Sequence, residues 1–156
     1  MLAILTRTMM PPARWFEYPV VVHPHQTDYA GIVWHGTYVA WMEEARIECL
    51  KSVGYGFAEL IESGCDLQVV ELTLRYHLPL RLGAAAVVKT FMAPVHGVRY
   101  DWHYQICDLA TPRLCVTGTA TLVPVERDRG KIMRRVPGIV QTCLERIVDE
   151  FYAAAQ

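Results

Sequence analysis

The sequence predicts an α+β fold, with one long helix packed against an antiparallel sheet. Three observations carry this. Apolar residues recur at helical spacing from about Gly36 to Val53, and again from about Pro137 to Tyr152. Four stretches of strand character lie between those two helices. The links joining them are too short for the crossovers that parallel strands need, so neighbouring strands run antiparallel. A chain of 156 residues holds one domain with a sizeable core, and no repeat or low-complexity tract divides it.

Met1 to Arg14 reads as a loose leader (residues 1–14) ahead of a single domain over residues 15–156. It has no long apolar region and no small-residue cleavage pattern of a signal peptide. Trp15 to His25 reads as a strand with Phe16, Tyr18, Val20 and Val22 on one face. Pro19 and Pro24 mark it as an edge strand or a strand end. In the long helix, Tyr38, Met42, Ala45, Cys49 and Val53 share a face, while Glu43, Glu44, Glu48 and Lys51 take the others. Gly54 and Gly56 stop it, and Phe57 to Glu62 adds a further turn ended by Gly64.

The strands are expected over Leu67–Leu78, Ala85–Ala93, Val98–Cys107 and Leu114–Val125. The third alternates fully, with Val98, Tyr100, Trp102, Tyr104 and Ile106 opposite Arg99, Asp101, His103, Gln105 and Cys107. Gly83, His96-Gly97 and Asp108 to Pro112 supply the turns. In the last helix Ile139, Val140, Cys143, Leu144, Ile147, Val148, Phe151 and Tyr152 form a broad apolar stripe.

The hydrophobic fraction of 53% and mean hydropathy of +0.17 are high for a small soluble protein. No apolar run reaches the roughly 18 to 20 residues that span a bilayer. The surplus apolar surface therefore points to a subunit interface. A net charge of −1 argues against nucleic acid as a partner. Five cysteines without a CxxC pair suit free, inert thiols in a reducing cytoplasm.

Most reaction classes fall away. Ser52 and Ser63 are the only serines, and neither sits in a G-x-S-x-G elbow. No cysteine lies beside a histidine, although spatial neighbours stay open. Neither a P-loop nor a G-x-G-x-x-G is present, and the element order lacks βαβ units. His23 and His25, two apart on the expected strand, could join His35 on a metal, but a surface stripe is the plainer reading and no metal is expected.

Asp28 remains, before a short glycine-containing apolar loop and the start of the long helix. An ordinary Asx-turn accounts for such an aspartate. The alternative follows from the helix start, where Thr37 is followed three residues on by Ala40, so no capping box forms. Uncapped N–H groups at the positive end of a helix can hold an oxyanion. Ile32, Val33 and Trp34 beside them suit an acyl or aromatic group.

The run Asp28-Tyr29-Ala30-Gly31-Ile32-Val33-Trp34-His35-Gly36-Thr37-Tyr38 resembles the signature of hotdog-fold acyl-CoA thioesterases of the 4-hydroxybenzoyl-CoA thioesterase type. Tyr76-His77-Leu78-Pro79 and Gly83 are similar to the family's second strand and following turn, and the likeness extends from about Phe16 to Val125. Ala84 stands where members often carry an acid after that glycine, and His35 where some have Tyr. The resemblance implies a hotdog fold: a long central helix wrapped by a five-stranded antiparallel sheet, with a C-terminal helix following here. It also implies edge-to-edge homodimers, dimers of dimers, and an active site at the protomer interface.

Carried over by position, Asp28 is the catalytic carboxylate, acting as nucleophile or as general base. The backbone N–H of His35 polarises the thioester carbonyl, while the role of its side chain stays open. Tyr29, Val33, Trp34 and Tyr38 line or support the acyl pocket, with Gly36 beside them at the helix start. The expected reaction is hydrolysis of an acyl-CoA thioester, with coenzyme A as part of the substrate and no separate cofactor. A thioester hydratase or dehydratase and a non-catalytic acyl-binding module are the alternatives. Arg127, Arg129, Lys131, Arg134 and Arg135 form a basic cluster that reads first as a solvated loop and second as a contact for CoA phosphates.

Overall fold

Side-chain alternation along the strands decides which face of the sheet carries the core. The computed structural model describes residues 10–153. Strand β1 (Phe16–Val21) leads through a 3-10 turn (Pro24–Gln26) and a loop into helix α1 (His35–Ser52). Helix α2 (Phe57–Glu62) and strands β2 (Cys65–Tyr76), β3 (Ala85–Met92), β4 (Tyr100–Asp108) and β5 (Arg113–Glu126) follow, and helix α3 (Gly138–Tyr152) closes the chain. The five strands form one antiparallel sheet in the order β1-β3-β4-β5-β2.

Tyr100, Trp102, Tyr104 and Ile106 of β4 are buried, whereas Asp101, His103, Gln105 and Cys107 between them are half-buried. The buried set faces α1, where Arg46 Nη1 donates to Tyr104 Oη at 3.2 Å. Tyr38, Met42, Ala45 and Cys49 are buried along α1, as their spacing predicts, together with Trp41 and Leu50. Each large side chain removed from water there contributes about 1.5–3 kcal/mol. Gly118 of β5 sets how closely helix and sheet approach. A Cβ at that position would stand 2.9 Å from Leu74 Cδ2 and 3.1 Å from Met42 Cε. On the opposite face, Thr121 Oγ1 donates to Asp101 Oδ1 at 2.5 Å, and Arg99 pairs with Glu71 at 2.9 Å.

The structure shortens the first expected strand. β1 ends at Val21, and His25 lies in the 3-10 turn, not on a strand. Gln26 causes the difference, because its Oε1 accepts the His23 N–H at 2.8 Å and its own N–H donates to His23 O at 3.0 Å. The rings of His23 and His25 stack at 5.9 Å, but both residues are exposed. Among the described residues no three His, Cys, Asp or Glu side chains converge as a metal site. Leu78 and Val98 also lie outside the strands expected to hold them, Val98 in the turn between β3 and β4. At the end of the expected leader, the Ala13 N–H donates to Phe151 O at 2.7 Å, and Arg14 pairs with Glu150. Residues 1–9 of that leader lie outside the described residues.

The two sheet edges are unlike. β1 is short and carries Pro19 and Glu17, features that discourage pairing with another chain. β2 has 12 residues, shifts register between Val69 and Glu71, and exposes Val69, Val70, Leu72 and Tyr76. No helix among the described residues is long and apolar enough to cross a membrane.

Candidate active site

The loop from Thr27 to Trp34 is built around Asp28. Its backbone N–H donates to Ile32 O at 2.8 Å, and its carbonyl accepts the Gly31 N–H at 3.0 Å. Its Oδ1 accepts from Ala30 N at 2.9 Å and Ile32 N at 3.2 Å, so the Asx-turn is present. Gly31 supplies the left-handed conformation, with φ of 73°, that the reversal requires. The second carboxylate oxygen, Oδ2, accepts no hydrogen bond among the described residues. The turn reading and the reactive reading are thus compatible, because they use different oxygens.

Neighbouring segments pin this loop. Val33 N donates to Leu80 O at 3.0 Å, Leu82 N to Gly31 O at 3.0 Å, and Ile32 bridges Arg81. The Gln26 carbonyl accepts from Trp34 N at 2.9 Å and from Thr37 Oγ1 at 3.2 Å. The 3-10 turn thereby holds the first residues of α1 in place.

Trp34 is the N-cap of α1 and makes no side-chain capping bond. The Thr37 N–H turns back to Trp34 O at 2.9 Å. The N–H groups of His35 and Gly36 find no acceptor among the described residues. Two adjacent donors at the positive end of an 18-residue helix are available to a developing negative charge.

Beside them is a cleft of about 230 Å³ lined by Ile32, Val33, His35, Tyr38, Tyr76, His77, Leu78 and Pro79. Tyr76 Oη donates to His35 O at 3.0 Å, and its ring lies 5.6 Å from that of Tyr38. The buried Tyr38 hydroxyl accepts from Leu80 N at 3.3 Å, and burial raises its pKa above the usual tyrosine value.

The expected site residues divide by exposure. Val33 and Tyr38 are buried and border the cleft, and His35 is exposed at its rim. Trp34 is exposed, with its ring 4.9 Å from that of His35. Its indole covers Gly36 so closely that a Cβ there would collide with it. Tyr29 is fully exposed and is not among the residues lining this cleft. Within the basic cluster, Arg127 is bound to Asp66 at 2.7 Å, and Arg129 stands 3.9 Å from Glu126. Arg134 and Arg135 line a separate cavity against α3. Sequence reasoning missed the site contacts of Tyr76, Gln26 and Leu80. Only the segment Tyr76-His77-Leu78-Pro79 carried a signal, as the end of a strand and as part of the family resemblance.

A family model described as the thioesterase-like superfamily matches residues 22–147, which include the loop, the helix and the whole sheet from β2 to β5. The chain belongs to the thioesterase-like superfamily. A protein of Synechocystis sp., provisionally named the esterase sll0410, is 53% identical over 86% of this chain and 81% of its own length. The acyl-CoA thioester hydrolase YbgC of Escherichia coli O6:H1 is 32% identical over 53% of this chain and 61% of its own. Among solved structures, a DHNA-CoA thioesterase from Staphylococcus aureus superposes with a TM-score of 0.78 at 22% identity. That match covers 85% of this chain and 90% of that one, and it shows a shared hotdog fold. As a thioesterase of this superfamily, the chain is a thioester hydrolase, and Asp28 and the start of α1 fall inside the matched region.

Proposed function

We propose that this thioesterase hydrolyses an acyl-CoA thioester to a carboxylic acid and free CoA, with Asp28 as the reacting carboxylate. One observation carries the reading. Asp28 is fixed through Oδ1, and its Oδ2 accepts no hydrogen bond among the described residues, in a loop that runs directly into the uncapped end of α1. As nucleophile, Oδ2 adds to the thioester carbonyl, CoA leaves as thiolate, and water cleaves the resulting anhydride. As general base, it takes a proton from the attacking water and a tetrahedral intermediate forms directly. In both routes the carbonyl oxygen becomes negative, and the His35 N–H stabilises it. Neither route requires a metal or a redox group.

Val33 and Tyr38 support the acyl pocket, with Gly36 at its helix start, and the exposed Trp34 and Tyr29 reach substrate once a second protomer is present. That protomer pairs along β2, whose exposed Val69, Val70 and Leu72 support a homodimer, with dimers of dimers beyond it. The basic cluster is exposed throughout, and Arg129 and Lys131, neither bound to Asp66 like Arg127 nor lining the cavity of Arg134 and Arg135, are the members available to CoA phosphates. The unpaired thiols support a reducing compartment such as the cytoplasm.

The test is thiol release across aromatic and short-to-long aliphatic acyl-CoAs, for the native chain and Asp28→Asn. Rapid release by the native chain and a loss of orders of magnitude in the variant are expected. Equal rates in both would refute the assignment. Hydroxyacyl product from an enoyl-CoA, without thiol, would indicate a hydratase, and ligand-induced stabilisation without turnover a binding module. Val70→Lys is expected to shift the chain toward monomer in sedimentation and to lower activity with it.

A further inference from the structure

The two donors at the start of α1 without an acceptor among the described residues belong to different peptide groups. The His35 N–H is part of the Trp34–His35 peptide, and the Gly36 N–H part of the His35–Gly36 peptide. The oxygen of that second peptide is His35 O, which accepts the Tyr76 hydroxyl at 3.0 Å from 41 residues away in sequence. Helix spacing already gives the His35 carbonyl a partner four residues on, so the hydroxyl is not needed to satisfy an orphan acceptor. An amide whose oxygen accepts a hydrogen bond becomes a stronger N–H donor, because bonds in a chain polarise one another.

We infer that Tyr76 is a positioning residue for this hydrolysis. Through His35 O it fixes and polarises the His35–Gly36 peptide, making the Gly36 N–H a second oxyanion donor beside that of His35. The inference rests on reading the start of α1 as the oxyanion site. The local geometry supports it in two further ways. Tyr76 and His35 line the same cleft, so the bond lies at its wall. Position 36 is a glycine, and the Trp34 indole fills the space a Cβ there would take, so this peptide is held from that side as well. Tyr76 is also 48% exposed, so the hydroxyl has water as an alternative partner and is not driven to His35 O by burial.

Tyr76→Phe removes the hydroxyl and keeps the ring against Tyr38. We expect kcat to fall roughly tenfold with KM changed less than about twofold, since the lost stabilisation belongs to the transition state. A CoA ketone analogue, with CH2 in place of the thioester sulfur, gives a second readout. Its bound carbonyl stretch is lowered in the native chain and lowered less in Tyr76→Phe. Replacing Tyr76 with 3-fluorotyrosine, a more acidic phenol, should raise kcat, a change that a packing role would not produce. This also decides the matter if Tyr76→Phe does not fold. Unchanged kcat, an effect on KM alone, or no gain with fluorotyrosine would overturn the inference. If Asp28→Asn abolishes turnover while Tyr76→Phe matches the native chain, this inference fails alone. If Asp28→Asn keeps native turnover, the site assignment fails and takes the inference with it.

Discussion

Two aspartates close their loops in the same way. Oδ1 of Asp28 accepts from Ala30 N at 2.9 Å and Ile32 N at 3.2 Å, and Oδ1 of Asp108 accepts from Ala110 N at 2.9 Å and Thr111 N at 3.4 Å. The second oxygens differ. Oδ2 of Asp108 accepts the Thr111 hydroxyl at 3.4 Å and lies 3.9 Å from Arg113 Nη2, on a side chain only 14% exposed. Oδ2 of Asp28 accepts no bond among the described residues, and its loop continues into α1. An Asx-turn therefore does not by itself make an aspartate structural. The reactive role proposed for Asp28 rests on the oxygen the turn leaves over and on the helix end next to it.

The sharpest way to break this comparison is to exchange each carboxylate for its amide. Asp28→Asn keeps an oxygen for Ala30 and Ile32 and removes the charge. Turnover should fall by about 10³ or more with the melting temperature near native, whereas Asp108→Asn should hydrolyse substrate at the native rate. Steady-state kinetics with parallel thermal melts checks both. Next in size is Gly36→Ala. Its methyl displaces the Trp34 indole from the helix start, and kcat should drop about tenfold, less than the roughly 10²–10³-fold cost of removing an oxyanion donor outright. No comparable sensitivity is expected around Asp108.

Stability should order the pair the other way. Asp28→Ala and Asp108→Ala each lose the loop-closing bonds, at about 1 kcal/mol. Asp108→Ala loses the Thr111 and Arg113 contacts besides, and its denaturant midpoint should be the lower of the two. The smallest effect is expected from Thr111→Val with Arg113→Ala, which frees Oδ2 of Asp108. In an Asp28→Asn background this pair should restore no thiol release and shift stability by about 1 kcal/mol or less, since an ion pair 3.9 Å long with its Arg113 side chain 55% exposed contributes little. Recovered hydrolysis would mean that a free carboxylate oxygen is sufficient without the helix end.

The sheet was largely legible because alternation is a local property. β4 buries every second residue, as its sequence requires. The end of β1 was not legible. His23-Pro24-His25 continues an alternating pattern, but the Gln26 side chain captures the His23 N–H and turns the chain instead. For Asp28 the structure shows the Asx-turn, and the reactive role proposed for it rests on the oxygen that the turn leaves over. The Tyr76 contact depends on β2 ending beside the first turn of α1. No local pattern around Tyr76 or His35 encodes that meeting, because it is set by the packing of distant segments.

The five thiols bear on how the chain can be observed. None is paired, and burial raises the pKa of each, to about 12 for Cys49 and Cys143. At pH 8 a thiol of that pKa is ionised in only about one molecule in ten thousand, and disulfide reagents react with the thiolate. In the folded protein Cys49 and Cys143 are therefore nearly silent toward the reagents that detect free CoA. Once unfolded, the same chain presents five ordinary cysteines to them. A single colorimetric trace then separates two events: a substrate-dependent slope reports catalysis, and a substrate-independent rise reports loss of the fold.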